Sequence, residues 1–245
     1  NQGESDGPTI GAYLKALHVM AEKSDVDIQL LAVPGIRETK ITDEAIAKTE
    51  ERFDALYIMD MEERDVDNNV VTSSNQEISV ANTIEDLRSR ALDSSFAATY
   101  FPDTIVTDPN TQTNVRVPPS VNVMGALSLN DRVAFPWFAP AGFTRGALSN
   151  VFDSAVNFNR ANLDALYESD INPITQFPGQ SEHVIFGQKT LQAAASALDR
   201  VNVRRLLIDV RRKVRRVADT FIFEPNRADT LARFSAAVEP ILSQV

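Results

Sequence analysis

The sequence predicts an α/β fold, with a central mixed, partly parallel sheet flanked by helices, and three observations carry that expectation. Two mostly apolar runs, at 28–33 and 55–60, have the content of buried strands. The helix-periodic segment ITDEAIAKTEERFD lies between them, and strand, helix, strand over about thirty residues favours parallel pairing at the centre of a layered fold. Near the end of the chain, apolar residues recur every three or four positions from Val203 to Phe221, the repeat of one helix face.

In chain order, a helix is expected over 8–22, where Ile10, Tyr13, Leu14, Leu17 and Met20 share a face, Asp6 is positioned to cap and Pro8 falls near the first turn. The run at 28–33 is interrupted only by Gln29 and closed by Pro34 and Gly35, so it reads as a strand buried on both faces. The following helix takes Thr42 as its N-cap, with acidic residues in the first turn where the dipole favours them. The strand ALYIMD ends at Asp60, and open α/β sheets hold ligands at such strand ends. No GxGxxG or GxxxxGK[ST] loop follows either strand, so Asp60 reads as a turn or cap carboxylate. The polar stretch 61–77 reads as an exposed loop. Its acids Glu62, Glu63, Asp65 and Asp67 lack the glycine turn and closing Glu of an EF-hand, which makes them solvated charge.

A helix around 83–92, a β-rich stretch at 95–108 and a hairpin turn at DPNTQTN come next. Pro118 and Pro119 start a helix that ends near Asn130 and Asp131. Beyond it, Trp137 stands with Phe135, Phe138 and Phe143 among prolines and glycines, either anchoring an irregular loop, the favoured reading, or forming a recognition surface. A helix with Leu163, Leu166 and Tyr167, an extended NPITQFPG and a strand HVIFG follow. His183 borders that strand with no Ser, Cys or carboxylate partner identifiable by motif, and reads as non-catalytic.

The segment 198–226 is the strongest helical pattern. Val203, Leu206, Leu207, Val210, Val214, Val217 and Phe221 form a seam expected to be buried, while Arg204, Arg205, Arg211, Arg212, Arg215 and Arg216 fall mostly on the other side as an outward guanidinium surface. FIFEPN reads as a short β-like exit, with Pro225 stopping the helix and Asn226 able to cap the last one. That last helix, 227–242, carries Leu231, Phe234, Val238 and Ile241 on one face, and Pro240 is expected to kink or fray its end.

At 245 residues and 43% hydrophobic content the chain is long enough for a full core. Its formal net charge is −10, yet eight of the seventeen residues 200–216 are Lys or Arg, and residues 1–70 hold sixteen acids against seven bases. Charge segregated in this way favours complementary surfaces on copies of one molecule over general adhesion to a polyanion. Cysteine is absent, which excludes disulfides, thiolate metal sites and thiol nucleophiles, and two histidines without metal-ligand spacing offer no metal or cofactor site. No apolar run approaches membrane-spanning length and no signal-peptide pattern opens the chain, so a soluble protein is expected. The loop-like start NQGESDG lacks an initiator methionine, which suggests a piece of a longer protein. Two other classes compete: a nucleic-acid-binding module using the arginine helix, opposed by the acidic balance, and an α/β enzyme, for which no nucleophile, base and orienter can be assembled.

Ten motifs in order resemble the contractile tail sheath proteins of myovirus-type, T-even-like bacteriophages: SDG (5–7), IQLLAVPGI (28–36), RFDALYIMD (52–60), SSFAATYFPD (94–103), VPPSVNVMGALSLND (117–131), FAPAGFTRGAL (138–148), INPITQFPG (171–179), FGQKTL (186–191), LDRVNVRRL (198–206) and FEPN (223–226). The resemblance implies a structural, non-enzymatic subunit without cofactors. Such subunits polymerise with copies of themselves around an inner tail tube, meet baseplate and tail terminator proteins, and contract to drive the tube through the host envelope. It places the protein in the virion tail, assembled in the host cytoplasm, with neither nucleic acid nor membrane as a partner. Residues 1–245 would form the sheath core domain, the linking arms and outer insertions lying outside this sequence, and the chain alone is expected to be largely monomeric. Arg204, Arg205, Arg211, Arg212, Arg215 and Arg216 then become candidates for contact with acidic surfaces on neighbouring subunits or the tube; core packing with a solvated outer face remains open beside that role. The sheath of a related bacterial contractile device shares the same pattern.

Overall fold

The computed structural model describes residues 9–72 and 76–244; the SDG motif and Asp6 lie outside them. The elements follow as α1 (Ile10–Ala21), β1 (Leu30–Ala32), α2 (Thr39–Arg52), β2 (Leu56–Asp60), α3 (Val80–Ser89), β3 (Ala97–Phe101), β4 (Thr104–Thr107), β5 (Asn114–Val117), α4 (Pro119–Val133), α5 (Gly142–Arg145), β6 (Ala147–Leu148), β7 (Val151–Ser154), α6 (Arg160–Glu168), β8 (Ile171–Thr175), β9 (His183–Ile185), α7 (Val201–Asp219) and α8 (Ala228–Leu242). A six-stranded sheet has the order β1-β2-β3-β8-β9-β6, parallel through its first four strands and antiparallel at β9 and β6. A smaller antiparallel sheet, β5-β4-β7, sits apart from it. The mixed, partly parallel sheet expected from the sequence is present.

Alternation along β2 divides the core. Tyr57 and Met59 join Leu17, Ile41, Ile84 and Leu166 on one face, covered by α1, α2, α3 and α6. Leu56 and Ile58 join Val123, Leu127, Ile174, Val201 and Ile208 on the other, beneath α4 and the start of α7. Both faces of β2 and β3 are therefore buried, as their unbroken apolar runs require. β1 departs from expectation: it pairs only with β2, and its three residues are half-buried because it forms the sheet edge.

Helix starts follow local chemistry where a short polar side chain is available. Thr9, Ser79 and Asn159 accept the N–H groups of Ala12, Asn82 and Asn162, capping α1, α3 and α6, each worth about 1 kcal/mol. Thr42 is not the cap of α2. That helix begins a turn earlier, with Glu38 in the cap position, and the buried Thr42 hydroxyl donates back to the Glu38 and Thr39 carbonyls. α2 ends at Phe53, whose φ of 59° is left-handed, at a cost of about 1 kcal/mol for a bulky side chain. An edge-on contact with Phe96, centroids 5.3 Å apart, helps hold it. The exit FIFEPN is a turn and not a strand, Asn226 does not cap α8, and α8 continues through Pro240 to Leu242.

Candidate interaction surface

The C-terminal ends of the parallel strands, where an α/β fold usually keeps a ligand, are occupied by side chains of the chain itself. Asp60 is buried at the end of β2, where Oδ2 accepts the Gly35 N–H at 2.9 Å and the Ser120 hydroxyl at 2.7 Å. Its Oδ1 accepts the Ser120 N–H at 3.0 Å, fixing the first turn of α4. Burial pushes this carboxyl above its ordinary range, opposed by those hydrogen bonds. The cap reading of Asp60 is correct.

Beside it, Arg37 donates to Asp103 Oδ1 at 2.5 Å, Arg116 Nε donates to Asp103 Oδ2 at 2.8 Å, and Arg116 also donates to Glu63. The Asp103 N–H reaches Glu63 Oε1 at 3.1 Å. Glu63 was expected among solvated acids; it is 1% exposed and ion-paired. Burial, then the neighbouring Asp103, raises its pKa, while the two arginines oppose that shift. Two carboxylates and two guanidiniums here satisfy one another, tying β2, β3 and β5 together.

The structure also corrects the expected arrangement of the arginine helix. Arg204, Arg205 and Arg212 are buried at 8%, 3% and 8% exposure, whereas Leu207 on the apolar seam is 45% exposed. α7 thus turns a guanidinium face toward the body, anchored by Val201 and Ile208, and its apolar seam toward α8 and the surface. Arg204 donates to Ser95 Oγ and stacks 4.0 Å over the Phe96 ring; burial lowers its pKa. Arg205 grips Asp131 at 2.6 and 2.5 Å. Arg212 donates to the Ile28 carbonyl at 2.6 Å and to Asp27. No local pattern marks Ser95, Asp131 or Asp27 as partners, because each meets α7 from more than seventy residues away.

Three of the six arginines remain outward. Arg211 lies 5.1 Å over the Phe53 ring, Arg216 reaches Asp27 at 3.4 Å while 68% exposed, and Arg215 has no ion pair among the described residues. Part of the charge segregation is therefore resolved within one chain, through Asp27. The aromatic loop packs on itself: Phe135 stacks on Trp137 at 4.7 Å and meets Phe138 edge-on at 5.6 Å. Phe135 and Phe138 are nonetheless 48% and 39% exposed, so anchoring and display coexist there. His183 is buried with neither ring nitrogen hydrogen-bonded among the described residues; Asp153 stands 3.9 Å away, and burial lowers the imidazole pKa. Among the described residues no acid, histidine or cysteine cluster fits a metal ion, and no helix is long and apolar enough to cross a membrane.

No protein-family model matches the sequence. Over 129 residues the chain is 38% identical to the tail sheath protein of Vibrio phage KVP40, a match over 53% of this chain and 19% of that protein. Half of this chain is thus similar in sequence to a phage tail sheath protein. The tail sheath protein of Enterobacteria phage T4 is 36% identical over 118 residues, 48% of this chain and 18% of its own length. The stretch shared with these sheath proteins is thus under a fifth of their length. Among solved structures, a chain of the anti-feeding prophage baseplate aligns with all of this chain at a TM-score of 0.71 and 22% identity, this chain covering 58% of it. A chain of the anti-feeding prophage helical sheath in its contracted state aligns at 0.69 and 24% identity, with 60% covered. The fold is that of the tail sheath proteins.

Proposed function

We propose that this chain is the core of a contractile tail sheath subunit, which polymerises with its own copies around an inner tube and shortens to drive that tube through a host envelope. The observation that carries the reading is the 38% identity to a phage sheath protein in a chain whose whole length takes the sheath fold. The work is mechanical. The strand ends that an α/β enzyme uses for chemistry are filled here by Asp60, Glu63, Asp103, Arg37 and Arg116, which hold one another. Residues 1–245 act as one core domain in a virion tail assembled in the host cytoplasm, with baseplate, tube and terminator proteins as partners. Arg211, Arg215 and Arg216 are the arginines of α7 available to an acidic neighbour, in rim pairs of about 0–1 kcal/mol each that can be broken and remade.

A second reading, the sheath of a bacterial contractile injection device, draws on the likeness to anti-feeding prophage chains. The nucleic-acid reading is weakened by the commitment of Arg204, Arg205 and Arg212 to partners inside the chain. Electron microscopy of the intact parent protein tests the proposal: striated hollow cylinders are expected, and a parent that stays a solitary molecule under all assembly conditions overturns it.

A further inference from the structure

α7 is held to the body in two unlike ways along its length. Its first two turns are rooted: Val201 and Ile208 enter the core, the Val201 N–H reaches the Gln188 carbonyl at 2.7 Å, and Arg205 is clamped to Asp131. Beyond Ile208 no apolar side chain of α7 is fully buried. Arg212 crosses to Asp27 and the Ile28 carbonyl, just ahead of edge strand β1, over an open polar cleft of 270 Å³ lined by Lys23, Ser24, Asp27, Asp54, Arg212 and Arg215. Arg216 adds a long contact to the same Asp27, whose side chain is 70% exposed. The buried Arg212 Nε has no hydrogen-bond partner among the described residues, so docking leaves one polar group unpaid for by any contact.

α8 rides on this distal half. Its apolar contact is with α7, Phe234 meets Phe221 edge-on at 5.5 Å, and of its fifteen residues only Thr230 is buried. The distal half of α7 and α8 therefore share an apolar seam of their own above an underside of cationic side chains, which meets the body through Arg212, through Arg211 over the Phe53 ring and through Lys213 5.4 Å from the Trp137 ring. Two surfaces that are each soluble when apart separate without exposing a core, unlike an apolar joint.

We propose that the distal half of α7 and α8 form a lever that swings from the body about the rooted first turns, with Arg212 on Asp27 and Ile28 as its latch. The lever belongs to the chain alone, whatever the chain assembles with, so its failure and that of the sheath reading are separate results. Opening re-solvates Arg212 and Asp27 together and frees the Ile28 carbonyl beside the sheet edge, while the two sheet cores stay closed.

The absence of cysteine permits paired spin labels at chosen sites. Labels at Ala47→Cys on α2 and Ala236→Cys on α8, both exposed, report the lever, and Ala47→Cys with Ala195→Cys reports the root. Pulsed dipolar distances on the 245-residue chain should show a second, longer population for the lever pair that grows severalfold from low to molar salt and in Asp27→Ala, with the root pair unchanged. A lever distance that stays single and unshifted across the salt series, which needs no variant at the latch, overturns the proposal. So does a root pair that broadens in step with the lever pair, since that is general loosening.

Discussion

Asp60 at the end of β2 and Ser120 in the first turn of α4 hold one another through two hydrogen bonds, backbone N–H to Oδ1 at 3.0 Å and hydroxyl to Oδ2 at 2.7 Å. The contact joins a strand end to a helix start sixty positions later, and the Gly35 N–H completes it. Asp60→Ala strands the Ser120 N–H and hydroxyl in a buried place and takes the partner from the Gly35 N–H. Hydrogen bonds to a charged group are worth about 1.5–3 kcal/mol each, so the variant should lose at least about 3 kcal/mol in urea unfolding.

Arg205 and Asp131 form a second buried clasp, the arginine side chain 4% exposed and the aspartate 25%. Asp131→Ala leaves a desolvated guanidinium and should cost about 3 kcal/mol. Replacing both, as Arg205→Met with Asp131→Leu, should recover most of that loss. Equilibrium unfolding of the two single variants and the double closes the cycle.

Arg212 and Arg215 separate a folding role from an outward one. Arg212→Glu sets a carboxylate against Asp27 and the Ile28 carbonyl, and should lower the melting temperature by several degrees. Arg215→Glu should change stability by less than about 0.5 kcal/mol. In the intact parent, Arg215→Glu should impair assembly of the sheath, followed by light scattering; unchanged assembly removes Arg215 from the interface.

His183 makes stability depend on pH. Burial lowers its pKa below the unfolded value near 6.5, so the unfolded chain binds the extra proton first. Its contribution is complete above about pH 7 and is lost as pH falls through about 6.5 toward the lower folded value. Melting temperatures recorded between about pH 8 and pH 5.5 should fall in that window, and His183→Gln should flatten the slope.

Gly187 abuts Asn172 in β8. A Cβ there would lie 2.7 Å from Asn172 Oδ1 and 3.0 Å from its Cα, and this amide is fully committed. It donates to the Thr99 and Lys189 carbonyls and accepts the Lys189 N–H at 2.6 Å. Gly187→Ala should therefore destabilise by about 1–3 kcal/mol, the usual range for overpacking.

What could be read in advance was what is written locally. The runs at 28–33 and 55–60 announce strands, and the spacing from Val203 to Phe221 announces a helix. Whether β1 is central or an edge depends on what reaches its far side, which its own residues do not encode. Thr42 resembles an N-cap because a hydroxyl returning to the Glu38 carbonyl uses the same residue type as one capping an amide. The orientation of α7 is the instructive case. Amphipathicity gives two faces, and the apolar one was expected inward; acceptors at Ser95, Asp131 and the Ile28 carbonyl, all distant in sequence, let the guanidinium face turn inward. The six arginines were found by composition, and their division into three inward and three outward required the tertiary partners.

The pairing of β3 with β8, Thr99 opposite Ile171, has a consequence for biogenesis. Strands β1 to β3 leave the ribosome before β8, and their open side is closed only by that strand, which emerges after the second sheet, α4 and α6 have been made. At bacterial rates of about 5–20 residues per second, that delay is on the order of ten seconds. The segment from β1 to β3 must wait that long with an unpaired strand at its margin, so its need for a chaperone during translation should last until Thr175 is added.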